Sequence, residues 1–176
     1  MKIHGTAKGG ALSTKDFGVA FGGGAGVPTE FCQDTGSTQM AFANDYIFAN
    51  IIGSPNTVIG KSCTALKYYL KKNGSATGTV YAEVYNSSGV LQHEWATKDV
   101  STIAGSPTAY TFTGDPYTIQ TDDKVGVRAD ISGGTIEATR LNVYSGTEWQ
   151  LTSNYGDLND WEDSPTQSIR MCLTGS

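Results

Sequence analysis

From residue 57 onward, apolar and polar residues alternate with a period of two. In the first such segment Leu66, Tyr68 and Leu70 fall on one face and Cys63, Ala65 and Lys67 on the other. In the next, Val80, Ala82 and Val84 lie opposite Thr79, Tyr81, Glu83 and Tyr85. A period of two is that of a half-buried β-strand. NGSATG at 73–78 and NSSG at 86–89 carry the Gly, Asn and Ser of turns, so each segment reads as a strand closed by a turn.

The pattern continues downstream. LQHEWATKDV at 91–100 reads as a strand. TAYTFTG at 108–114 follows, with Tyr110 and Phe112 on one face, and DPYTIQTDD at 115–123 is expected to be loop and turn. In KVGVRADIS the residues Val125, Val127, Ala129 and Ile131 share a face. Gly133-Gly134 predicts a turn into TIEATRLNVYSG, after which EWQLTS, a long loop over 154–165 and a closing strand SIRMCLTG complete the chain. MAFANDYIFANII at 40–52 is apolar with mixed period and reads as a strand, with a short helix at the sandwich mouth as the alternative. No helix signature stands out. Short strands at this spacing with Gly-bearing turns predict an all-β chain, an antiparallel β-sandwich of jelly-roll kind.

Composition adds an N-terminal segment. Eight of the first 30 residues are Gly, ending in GGGAGVP. The reading is therefore a Gly-rich arm over residues 1–30 and one sandwich domain over 31–176. Pieces such as KDFGVAFG could add a strand to an exposed sheet edge, making the arm a candidate for self-association into a homo-oligomer. The formal net charge is −5. That sign disfavours nucleic acid as a partner. No apolar run is long enough for membrane insertion as a helix, and the first residues lack the apolar core of a Sec signal peptide.

The cysteines are Cys32, Cys63 and Cys172, with no CxxC spacing for zinc. Cys63 and Cys172 each sit opposite the apolar set of their strands, so a cross-strand disulfide between them is a candidate, with two buried thiols as the alternative.

The order TALKYYLKKNGSATGTVYAEVYNSSGVL, then YTFTGDPYTIQTDDKVGVRADISGG, then a Trp-bearing loop and SIRMCLTG, resembles the jelly-roll accessory domains of surface and phage-type proteins, often grouped with carbohydrate-binding-like modules. The resemblance covers residues 57–174 and lies in scaffold and turns. It implies a jelly roll used for binding or assembly; fold alone does not name a ligand.

Candidate chemistry concentrates between Tyr144 and Pro165. Tyr144, Trp149, Tyr155 and Trp161 could stack on the C–H faces of a sugar, with Asn154 and neighbouring acids taking its hydroxyls. The competing reading makes the Trp residues caps of the core. Asp157, Asn159, Asp160, Glu162 and Asp163 offer hard oxygen ligands for a structural Ca²⁺, without the order of an EF-hand loop. The Tyr81-x-Glu83-x-Tyr85 row is a second sugar platform or else a solvent-facing or subunit-facing strand. No nucleophile, zinc or phosphate-loop motif is present. The expectation is a non-catalytic structural or receptor-binding component of a virion or extracellular filament, with a carbohydrate-binding module as the alternative and a small glycan hydrolase as the second.

Overall fold

The computed structural model describes residues 27–33, 35–155 and 160–176. Most of the expected arm (1–26), the ligand candidates Asp157 and Asn159, and the side chain of Tyr155 lie outside the described residues. In chain order the strands are β1 (Thr29–Gln33), β2 (Thr38–Phe42), β3 (Tyr46–Ile51), β4 (Ser62–Tyr85), β5 (Leu91–Asp99), β6 (Thr108–Thr118), β7 (Lys124–Leu141), β8 (Gln150–Tyr155), β9 (Trp161–Ser164), β10 (Ser168–Ile169) and β11 (Met171–Gly175). A single 3-10 turn spans Val100–Thr102, and no α-helix occurs among the described residues. Every strand pairing is antiparallel, as the alternating sequence predicts.

Two strands are unusually long: β4 has 24 residues and β7 has 18. The reason is a correction to the sequence reading. NGSATG and Gly133-Gly134 do not end hairpins; they face each other across one ladder. Gly74 pairs with Gly134 and Thr77 with Ser132, with a register shift between. Gly74 and Gly133 have φ of 65° and 71°, and Gly78 has φ 114°. A Cβ on Gly78 would come within 2.2 Å of the Asp130 carbonyl oxygen, so only glycine fits there. The glycines therefore make a shared bulged bend that both strands pass through together.

Beyond the bend each long strand joins a different set of partners. The first half of β4 pairs with β6 and with β11, which carries β1 at the edge. Its second half pairs with β5. The second half of β7 holds β2 and β10, and its first half leads through β3 and β8 to β9. The strands fold into two facing layers that share β4 and β7. Between them lie Leu66, Tyr68 and Leu70 from one half of β4, Val80, Ala82 and Val84 from the other, and Val125, Val127 and Phe48. Side chains of this size contribute about 1.5–3 kcal/mol each when fully buried. Polar atoms in the core are paired across the layers. Tyr68 donates to the Phe48 carbonyl at 2.8 Å, and Trp95 Nε1 to the Cys63 carbonyl at 3.2 Å. The fully buried Asn50 both donates to the Ile169 carbonyl and accepts from its N–H, each at 2.8 Å.

Three further boundaries differ from the sequence reading. Residues 40–52 form two strands, broken near Asp45, which takes φ 61°. β6 extends to Thr118 through the segment read as loop, and the loop over 154–165 contains β9.

The disulfide joins Cys32 to Cys172, not Cys63 to Cys172. Cys32 and Cys172 stand directly opposite each other on β1 and β11. On β4, by contrast, Cys172 faces Lys67, and Cys63 lies beside Gly175. A bulge in the β4–β11 ladder, where the two steps from Cys63 to Ala65 oppose the single step from Gly175 to Thr174, breaks the alternation on β4. It turns Cys63 into the core, where it is a fully buried thiol.

Candidate functional site

The layer β5-β4-β7-β3-β8-β9 has one face on the core. On its other face the register aligns Tyr85, Lys124, Ile51 and Gln150 in a row across four strands. The next rows add Glu83, Gly126, Ala49 and Thr152, then Tyr81, Arg128, Ile47 and Asn154. An outer face of a sandwich is normally polar and wet. Here Ile47, Ala49, Thr152 and Asn154 are 0% exposed and Glu83 and Tyr85 only 1% and 2%.

The sheet hides them by curling. β9 is separated from β4 by three strands, roughly 19 Å across a flat sheet. Yet the rings of Trp161 and Tyr85 meet edge-on at a centroid distance of 5.3 Å. Lys124 Nζ reaches over the Trp161 ring at 4.8 Å. The small residues Gly126 and Ala49 leave room on the floor. Gly126 is required there: a Cβ would fall 2.0 Å from the Phe48 carbonyl oxygen.

A polar network lines the curl. Arg128 binds the Glu83 carboxylate through Nε and Nη2, the latter at 3.1 Å, and its guanidinium stacks over Tyr81 at 4.0 Å. The Tyr85 hydroxyl also donates to Glu83. Burial raises the Tyr85 pKa, with Glu83 adding to the effect. A carboxylate this buried is tolerable only while such partners remain. Thr152 Oγ1 is buried on the same face with no hydrogen-bond partner among the described residues.

At the Tyr85–Gln150 end the curl opens into a cleft of about 300 Å³, lined by Ile51, Ser87, Asp122, Lys124, Gln150 and Asp163. Turn chemistry positions its rim. In the NSSG turn, Asn86 Oδ1 accepts from the Val90 N–H at 3.0 Å and Gly89 takes φ 79°. Asp122 takes φ 65°, and its N–H is tied to the Ile52 carbonyl at 2.9 Å. Lys124 is only 7% exposed and donates to the Ser87 carbonyl at 2.6 Å. Burial lowers its pKa, opposed by Asp163 and Asp122.

The sequence candidates are thus divided. Trp161 and Asp163 reach this site, together with the Tyr81, Glu83 and Tyr85 row. Trp149 is packed in the core at 8% exposure, the position of a core cap. Tyr144 is half-buried, packs against the core and donates to Glu148 at 3.1 Å, and it does not line the cleft. Asn154 is buried and donates to the Asp160 carbonyl at 3.0 Å. Of the calcium candidates, Glu162 and Asp163 are successive residues of β9 and face opposite ways. Among the described residues, the one set of three acidic, Cys or His ligand atoms drawn together is Glu30, Cys32 and Cys172. Its sulfurs are bonded to each other, and Lys67 holds Glu30 at 2.7 Å. Lys124 and Arg128 were not singled out from sequence. The signal for them is their placement in the KVGVRADIS strand, at the polar positions opposite Val125 and Val127.

No family model, no curated protein and no solved structure matches this chain.

Proposed function

We propose that this chain is a non-catalytic β-sandwich module that binds a glycan in the cleft of its curled sheet, as the receptor-binding part of a virion or extracellular assembly. The observation that carries the reading is the curl itself. It sets Asp122, Lys124, Gln150 and Asp163 around one opening, with Trp161 packed on Tyr85 and under Lys124 beside it, on a face that a sandwich has no packing need to enclose. An apolar wall at Ile51 with a few convergent donors and acceptors suits hydroxylated rings. The Cys32–Cys172 disulfide suits an oxidising location. A jelly-roll wrapping of the strands, implied by the resemblance, belongs to the same proposal.

The test is retention on immobilised glycans. Trp161→Ala and Lys124→Met should each weaken retention at least tenfold, while Tyr144→Phe, at a residue that does not line the cleft, should leave it unchanged. Equal retention by all variants would remove the cleft from binding. Release of shortened glycan in place of intact ligand would favour the hydrolase reading.

A second reading, self-assembly through the arm, is favoured by β1. This edge strand is fixed to β11 by the disulfide and to β4 by the Lys67–Glu30 pair, and the chain enters it through Val27, which is 86% exposed. An arm preceding it would leave from an anchored point. Light scattering should give an oligomer for the full chain and a monomer for residues 27–176, a truncation that spares β1. An unchanged mass would remove the arm from assembly.

A further inference from the structure

Resting on that glycan reading, we infer that the cleft selects an uncharged ring at the end or branch of a neutral glycan and rejects acidic sugars. Size is the first argument. A cleft of about 300 Å³ is at the lower limit of small-molecule sites, so about one ring fills it and the rest of a glycan lies outside.

Charge is the second. The lining sets two carboxylates, Asp122 and Asp163, against one ammonium, Lys124, which leaves one net negative charge. Lys124 is not an open anion receptor. It is already held by the Ser87 carbonyl and the Trp161 ring, and its charge is shared with both acids. A uronate, sialate or sulfate would bring its charge against Asp122 and Asp163 with the balancing cation engaged elsewhere. Juxtaposed like charges of this kind discriminate strongly against the wrong partner. A divalent cation is disfavoured at the same place, because the Lys124 ammonium lies beside the two acids that would hold it.

Hydroxyl groups meet neither obstacle. They donate to the Asp122 and Asp163 carboxylates and to Gln150 Oε1, and accept from the Gln150 amide and from protons of Lys124 beyond the one given to Ser87. Ile51 supplies an apolar wall for ring C–H groups.

The test uses the full chain and three matched sets of oligosaccharide: neutral, with the terminal primary alcohol oxidised to carboxylate, and with an amine in place of one hydroxyl. Calorimetric titration at low salt should show the oxidised set at least tenfold weaker than the neutral one. The difference should shrink as salt is raised. In Asp163→Asn the ratio of the two affinities should move toward one, whatever happens to either affinity; Asp163 is exposed, and a thermal melt checks that the variant folds. Equal or tighter binding of the oxidised set, a ratio unmoved by Asp163→Asn, or tightest binding of the amine set would each overturn the charge inference while leaving the glycan reading in place. Binding of none of the three sets would overturn the glycan reading, and this inference with it.

Discussion

Asp123 shows what one buried group does here. It is 2% exposed and accepts the Gln120 N–H at 2.7 Å. Burial still raises its pKa above the model-peptide 3.8, outweighing the hydrogen bonds from Gln120 and Tyr117. The folded protein therefore holds this proton more tightly than the unfolded chain. Its contribution to stability is fully present below the unfolded-state pKa and is lost as pH rises through the folded-state pKa. Asp123→Asn removes the effect. Urea unfolding should show wild type gaining on the variant as pH falls from about 7 toward about 4; a constant or widening deficit would contradict the assignment. Tyr117, pushed up to about 12 by burial and by Asp123, stays a neutral donor throughout. The cysteines give a second check. Burial pushes the Cys63 thiol up to about 11, and thiolate is the reactive form. Alkylation should add no label to the native protein, one after denaturation without reductant, and three with reductant. A label on native protein, or a Cys63–Cys172 crosslinked peptide, would refute this pairing.

At the scale of elements, alternation was legible and interruption was not. The faces of Leu66, Tyr68 and Leu70, of Val80, Ala82 and Val84, and of Val125, Val127 and Ala129 all point to the core as their period predicts. What periodicity cannot distinguish is a glycine that ends a strand from one that bends it. Gly74 and Gly134 do the second, because each is the other's partner across the ladder, and pairing is a long-range fact. The bulge beside Cys63, opposite Thr174 and Gly175, inverts the parity that holds from Leu66 onward. The site was legible to a similar extent. Trp161, Asp163 and the Tyr81–Tyr85 row stood out by residue type, but that they share one face, and which of several aromatics lie on it, depends on the curl of β9. Gly126 tests that curl. Gly126→Ala would force β3 and β7 apart at Phe48 and Ala49. A forced backbone shift of this kind costs about 1–3 kcal/mol, and it should also weaken glycan retention. Wild-type stability in this variant would mean that the strands are not so closely apposed.

For the whole molecule, two shared strands and one disulfide organise everything else. β4 and β7 make the two layers a single hydrogen-bonded unit. The Cys32–Cys172 bond spans 140 residues of sequence, which is the range where restricting the unfolded chain stabilises most, typically by about 2–4 kcal/mol. It fixes β1 at the end of the strand order opposite to β9, the strand that brings Asp163 to the cleft. The central claim is that the cleft is the binding face, and amide chemical-shift mapping during titration with a neutral oligosaccharide tests it most directly. Shifts confined to residues around Ser87, Asp122, Lys124, Gln150 and Asp163 are the predicted result. Saturable binding that leaves those amides unmoved and shifts another surface would contradict it.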